Sequence, residues 1–186
     1  GFLRSFLQFY HLQPHHLTPN TVVLLSAFVT LCEGYLGILP TLELWGEFFY
    51  TKLGVAAKDM LAQCGAFVAV RRLGAGNCFP AISLTQSVKL WQKSYFYVKN
   101  VHPTADFINL LAYTAGPPAE PRTNWTFKSK MLSAASTAAI TQLKVMVESE
   151  GLQGSDLLTA FVVRRVLPLQ GRPHMISQMS GHRDPC

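Results

Sequence analysis

The acidic residues of the chain are candidates for the site of a strand-transfer enzyme, which needs carboxylates that hold two divalent metal ions for phosphoryl transfer. Asp59, Asp106 and Asp156 could be drawn as such a triad among only ten acidic residues. None of them ends a convincing predicted strand, and Asp156 is better explained as a favourable charge in a helix first turn. The Asp-Thr/Ser-Gly string of a retroviral-type protease and the paired aspartates of a reverse transcriptase do not occur. We therefore expect no enzymatic activity and no cofactor.

Cysteines and histidines give no better support for a metal site. A zinc knuckle needs closely spaced ligands around one ion, whereas the four cysteines lie far apart. His15 and His16 directly precede a Thr-Pro helix start, so hydrogen bonding at that helix entrance is the favoured interpretation. The run at residues 74–76 lacks the Lys-Ser/Thr end of a phosphate loop and predicts a turn. Without a signal peptide, the cysteines favour a reducing compartment, nucleus or cytoplasm, and not secretion.

Two groups of residues are candidates for nucleic-acid contact. The first is a row of aromatic and basic side chains, which suits stacking and charge neutralisation on single strands. The alternative, which we favour, is a strand with Phe96 turned inward. The second group is an arginine pair, which suits the C-terminal dipole of a helix as readily as a phosphate. The candidates are Lys89, Trp91, Lys93, Tyr95, Tyr97, Lys99, Arg164 and Arg165.

The elements that would position these side chains begin with two helices. Thr18 can cap and Pro19 suits the first helical position of a helix over residues 18–39. Residues 41–50 carry apolar side chains at helical spacing after Pro40 and predict a short second helix that packs on the first. The run at residues 21–39 is nearly long enough to span a bilayer. The charge of Glu33 disfavours that reading, and a buried core helix is preferred over membrane association.

The middle of the chain predicts strands. Residues 66–72 and 93–99 are rich in β-branched and aromatic side chains, and residues 81–84 form a further short candidate. These strands predict a small antiparallel sheet beside the helical pair. The fold class expected is α+β, with 1–114 as the first domain.

The C-terminal part predicts helices after a break. The prolines of residues 115–122 indicate a linker, which we extend to 128. Residues 129–150 and a segment capped by Ser155 predict a helical hairpin within 129–169, and 170–186 predict an irregular tail.

The composition bounds the functional classes. Apolar residues make up 49% of the 186 residues and charged residues only 14%, below the roughly 25% usual for soluble domains. We therefore expect protein partners or self-association. The net charge of +6 is mild, and basic residues are adjacent to one another only in the pairs Arg71-Arg72 and Arg164-Arg165. Nucleic-acid binding stays open as an alternative. The sequence starts at Gly1 in the middle of an apolar run of residues, and we therefore expect it to be a fragment of a longer protein.

Several long phrases of the sequence resemble the plant "putative gypsy-type transposon" family. The first block is similar to the family's "HHLTPN", "FVTLCEAFLGI", "LW" and "FF" strings, and two later blocks resemble its "S-x-K-x-W-x-K-x-W/Y-F-Y-V" and "D-L-L-x-x-F-x-x-R-R-V-x-P-L" strings. The matching residues are 15–20, 28–38, 44–45, 48–49, 87–98 and 155–169. The resemblance implies a retrotransposon-derived protein, labelled a transposase without an assigned catalytic site, from the region where a capsid-like protein is expected.

Together, these observations predict a non-enzymatic structural or interaction protein of a transposable element, with a degenerate or truncated copy as one form of it. A nucleic-acid-binding module of the element is the alternative, and a membrane-associated protein through residues 21–39 is a lesser one.

Overall fold

The computed structural model of the protein describes residues 1–54, 64–74, 77–84, 116–118 and 123–170. Within them, helices come first, a two-stranded antiparallel sheet follows, and further helices complete the chain. This order confirms the predicted α+β fold class. Residues 93–99 and 171–186, predicted as a strand and most of the tail, lie outside the described residues, and the predicted domain bounds stay predictions.

The chain opens with helix α1, Phe2–Tyr10, which the sequence analysis did not predict. Phe6 and Tyr10 are buried one helical turn apart on the same face, so the helix contributes aromatic rings to the core. His11 ends the helix in the left-handed region at φ 53°, and the N–H of Leu12 donates to the carbonyl of Leu7 at 2.8 Å. These features form a Schellman-type C-terminus.

Helix α2, Pro19–Thr30, begins as predicted. The Thr18 hydroxyl accepts a hydrogen bond from the N–H of Thr21 at 3.2 Å, and Pro19 occupies the first helical position. A π-helical segment, Leu31–Tyr35, continues the helix. The helix ends there and not at residue 39, because the chain turns at Gly37, whose φ of +64° suits glycine.

Helix α3, Leu42–Phe48, is capped by the Thr41 hydroxyl. The predicted helix over residues 41–50 is two residues too long, because the chain extends at Phe49 into strand β1, Phe49–Leu53. Pairing with strand β2, Phe67–Arg71, outweighs the helical spacing at this point. The two strands are antiparallel, with Thr51 opposite Ala69.

Strand β2 confirms the prediction of a strand over residues 66–72, with bounds one residue shorter at each end. Its edge away from β1 is held by α2. The Thr21 hydroxyl donates to the carbonyl of Phe67 at 3.1 Å and accepts from the N–H of Ala69 at 3.0 Å. The predicted strand over residues 81–84 is wrong, because that segment has no strand partner among the described residues and runs irregularly.

The C-terminal helices pack back onto the first part of the chain. A 3₁₀ turn, Thr123–Thr126, leads to helix α4, Ala134–Glu148, which is capped by Ser133. Helix α5, Gly154–Phe161, a π-helical segment, Val162–Val166, and the short helix α6, Leu167–Gln170, follow without interruption. Helix α5 makes its most extensive contact with α2.

The cap predicted at Ser155 is wrong. Ser155 lies inside the first turn of α5, since the helix begins at Gly154 and Gln153 is the N-cap residue. The carboxylate of Asp156 accepts a hydrogen bond from the N–H of Gln153 at 2.8 Å. Asp156 therefore closes the helix start, which agrees with its interpretation as a first-turn charge.

The core is aromatic and centres on Trp45. Its ring stacks on Phe49 at 4.2 Å between centroids and meets Phe6 and Phe28 edge-on at 5.2 and 5.3 Å. Phe67 joins the sheet to this cluster through Phe6 and contacts Trp125 of the 3₁₀ turn. Among the described residues, no helix has the length and apolar character that crossing a membrane requires.

Candidate functional site

The two arginine pairs of the sequence have different surroundings. Arg71 donates through Nε to the carbonyl of Phe79 at 2.9 Å and through Nη2 to the carbonyl of Asn77 at 3.2 Å. These bonds hold the segment after β2 against the sheet. Arg71 thus has a structural role, and its guanidinium is already engaged.

Arg72 joins α3 to the 3₁₀ turn. Its Nε donates to the carbonyl of Gly46 at 2.7 Å, and its Nη2 donates to the carbonyl of Phe127 at 3.0 Å and of Thr126 at 3.2 Å. The guanidinium also lies 5.8 Å from the centre of the Tyr50 ring. The guanidinium of Arg72 is therefore bound to backbone carbonyls and lies near a ring face. Since Arg71 is also bound to carbonyls, the pair Arg71-Arg72 is unsuited to binding phosphate.

The second pair, Arg164 and Arg165, borders an open cleft of about 390 Å³ between the ends of α2 and α5. Arg165 Nη2 lies 2.6 Å from Glu33 Oε2, an ion pair that crosses the cleft. The two arginine side chains are exposed, as the candidate role in anion contact requires. The lining residues are Val29, Thr30, Glu33, Gly34, Ala160, Phe161, Arg164 and Arg165.

Both walls of the cleft contain π-helical turns. Glu33 and Gly34 belong to the segment Leu31–Tyr35, and the two arginines belong to Val162–Val166. The N–H of Leu36 donates to the carbonyl of Leu31 at 2.9 Å, five residues back. A π turn inserts an extra residue into the helix and is found frequently at functional sites.

Glycine at position 34 makes room for Arg164. A Cβ placed on Gly34 would lie 2.9 Å from Arg164 Nη1, closer than real Cβ contacts allow. No hydrogen bond or ion pair joins the guanidinium of Arg164 to another residue in the ranges that the structure describes. The cleft therefore holds two guanidinium groups and one carboxylate.

The positions of the remaining candidates for nucleic-acid contact relative to this cleft are not described. Lys89, Trp91, Lys93, Tyr95, Tyr97 and Lys99 all lie outside the described residues. Their role in contacting nucleic acid stays a prediction. Sequence reasoning missed one signal. Glu33 and Gly34 interrupt an otherwise apolar helix, and in the structure they line the wall of the cleft that faces the arginines.

His16 forms hydrogen bonds at the 3₁₀ turn Pro14–His16, whereas the predicted place was the entrance of α2, which Thr18 caps. His16 is buried, and its Nδ1 accepts a hydrogen bond from the N–H of Gln13 at 3.0 Å while its Nε2 donates to the carbonyl of Gly116 at 3.2 Å. These partners select the neutral imidazole. Burial lowers the pKa of His16 below its ordinary value of 6.5, and the Gly116 carbonyl partly opposes that shift.

Only part of the candidate metal and thiol groups lies in the described residues. Among the residues described, no group of three His, Cys, Asp or Glu side chains could hold a metal ion. Asp59 and Asp106 of the hypothetical triad lie outside those residues. Burial raises the pKa of the Cys32 thiol to about 12, which keeps it protonated and unreactive at neutral pH.

Glu43 links α3 to the start of α4. Its carboxylate accepts hydrogen bonds from the Ser133 N–H at 2.6 Å, from the Ser133 hydroxyl at 2.8 Å and from the Ser136 hydroxyl at 2.7 Å. The Ser136 hydroxyl is the main reason that the pKa of Glu43 falls below its ordinary value of 4.5, with smaller contributions from Ser133. An anion at a helix N-terminus is also favoured by the helix dipole.

We expect Glu43→Gln to lower the free energy of unfolding by about 1 kcal/mol at neutral pH, since charge-assisted bonds are lost at a partly solvated site. Because the pKa of Glu43 is lower in the folded chain, its contribution is present above pH 4.5 and is lost as pH falls through the lowered value. The difference between the two proteins in urea unfolding should therefore shrink below pH 4.5.

Glu150→Gln is the matched control. Glu150 is exposed just beyond the end of α4, and substitutions at such surface positions change stability little. Equal losses in the two variants would contradict the role assigned to Glu43.

The elements described above define an α+β protein in which the C-terminal helix α5 packs on α2 of the N-terminal part. Residues 1–53 match the family described as "Putative gypsy type transposon". The N-terminal part, from α1 through β1, is therefore similar to this family, and the resemblance is confirmed over this part. The similar strings at 87–98 and 155–169 lie beyond the matched residues. No curated protein and no solved structure gives a significant match.

Proposed function

We propose that this chain is a non-enzymatic structural or interaction protein of a plant gypsy-type retrotransposon, located in the nucleus or cytoplasm, and that it acts by self-association. The observation that carries the proposal is an apolar surface on the C-terminal helices, here called the C-terminal apolar surface. It consists of Val162, Val163 and Leu167, which are 42%, 52% and 45% exposed.

This surface is unusual for its position. Helix α5 buries Leu157 against the rest of the chain, and the next turns carry large apolar side chains that remain in solvent. Contiguous exposed apolar side chains mark contact sites more often than isolated ones do. Since the two copies in a two-fold dimer present the same surface, an exposed helix face can pair with itself.

The internal use of polar groups supports a structural role. Arg71, Arg72, Glu43, Thr21 and His16 could each serve chemistry, yet each is hydrogen-bonded to the chain itself. They join helices and strands to one another, which supports a scaffold more than a reaction.

Sedimentation equilibrium of the purified chain with Val163→Gln tests the proposal. Burying a valine completely contributes about 1.5–3 kcal/mol, and Val163 is already about half buried in the chain. Because a two-fold dimer buries two copies of it, we expect the dissociation constant of self-association to rise about tenfold. Val145→Gln is the matched control, because Val145 is 51% exposed on a different helix, α4. A monomeric chain, or equal effects of both variants, would contradict self-association through this surface.

The absence of enzymatic activity is tested separately. Metal-dependent nicking of DNA that is abolished by Asp106→Asn or Asp156→Asn would contradict a purely structural role.

The alternative function, a nucleic-acid-binding module of the element, is favoured by the exposed arginines at the cleft. A gel shift with single-stranded RNA that weakens with salt and with Lys93→Ala or Tyr95→Ala would support it. A shift that neither variant changes would remove the aromatic row from this alternative.

A further inference from the structure

The cleft between the two π-helical segments has the composition of an oxyanion site. We propose that Arg164 binds a phosphate group there, and that Arg165 assists once it leaves Glu33. The phosphate is either free or esterified. This inference does not depend on self-association of the chain.

Arg164 is the group available for an anion. Its guanidinium is a cation with five N–H donors and makes no hydrogen bond or ion pair within the described ranges. Position 34 is glycine, and a side chain there would displace Nη1 of Arg164. The planar fork of a guanidinium matches two oxygens of a phosphate.

Arg165 supplies the second cation and Glu33 restrains it. The ion pair between them is 2.6 Å long, but the two side chains are 64% and 37% exposed, so the pair is weak. Free phosphate carries more charge than one carboxylate, and a phosphodiester strand presents several adjacent charges, so either can compete for Arg165. The cleft keeps one net positive charge even while the pair is closed.

The walls of the cleft combine apolar and charged side chains. Val29, Ala160 and Phe161 line it beside the charged groups. The wider π-helical backbone places Glu33 and Gly34 on one wall and both arginines on the other. All the π-helical turns among the described residues thus meet at this one cleft.

Isothermal titration of the whole chain with inorganic phosphate tests the proposal. Arg164→Gln should weaken binding at least about tenfold, the loss expected for a charge-assisted contact. Glu33→Gln should strengthen binding several-fold, because Arg165 is then released to the ligand. Arg4→Gln is the matched control, since Arg4 is exposed on α1 and outside the cleft.

A second arm replaces phosphate by a short single-stranded RNA and identifies the source of the group. Binding of either ligand that depends on Arg164, and not on Arg4, supports the site. Binding that falls equally in both variants reflects net charge alone and overturns the proposal, as does absence of binding to both ligands. Circular dichroism and the conservative Arg164→Lys, which should retain part of the affinity, separate lost binding from lost folding.

Discussion

Trp45→Ala is expected to lower the free energy of unfolding by about 3–5 kcal/mol, the loss typical of removing a fully buried tryptophan. The indole is completely buried and contacts the rings of Phe6, Phe28 and Phe49. These rings come from α1, α2 and β1, so the substitution leaves a cavity where three elements meet. Urea unfolding followed by circular dichroism measures the change.

Two further variants control the Trp45 experiment. Trp45→Phe retains much of the apolar volume and should lose clearly less stability, which keeps the comparison possible if the alanine variant fails to fold. Leu39→Ala removes a large apolar side chain that is 81% exposed and should change stability by less than about 0.5 kcal/mol. Equal losses for Trp45→Ala and Leu39→Ala would contradict the central place of Trp45.

Gly154→Ala is expected to lower the free energy of unfolding by about 2–3 kcal/mol, although alanine normally stabilises a helix relative to glycine. A Cβ on Gly154 would lie 2.7 Å from Ile82 Cγ1 and 2.9 Å from the carbonyl carbon of Ala81, with the Ala81 oxygen closer still. Backbone atoms cannot move aside cheaply, so α5 would have to shift at its first residue.

Ser155→Ala is the control for Gly154→Ala. Ser155 is exposed in the same helical turn, and its replacement should be neutral or slightly stabilising. Thermal unfolding of both variants measures the contrast. A stabilised Gly154→Ala protein would show that residues 81–82 do not pack on the start of α5.

The helix starts were predictable where the signal is local. Thr18 and Pro19 determine the start of α2 because a cap and a fixed φ act within a few residues. The strand at Phe67–Arg71 was predictable because β-branched and aromatic side chains suit a half-buried sheet. Its partner β1 was not, since Phe49 continues the helical spacing of α3 and only pairing with Arg71 makes it extended.

The candidate site was predictable only in part. The sequence places Arg164 and Arg165 side by side near the end of a helix, which indicates a phosphate or the helix dipole equally well. It places Glu33 within an apolar helix, where the residue argues mainly against a membrane span. Only the packing of α5 on α2 brings these groups, 132 positions apart, to a distance of 2.6 Å.

The α+β class, the capped start of α2, the second strand and the resemblance that the family match confirms over residues 1–53 follow from the sequence alone. Each of these depends on neighbours in the chain or on a contiguous string of residues. Tertiary packing sets which arginines are hydrogen-bonded to backbone carbonyls and which face solvent. The carbonyls that bind Arg71 and Arg72, and the glycine that makes room for Arg164, come from other elements that only folding brings into contact.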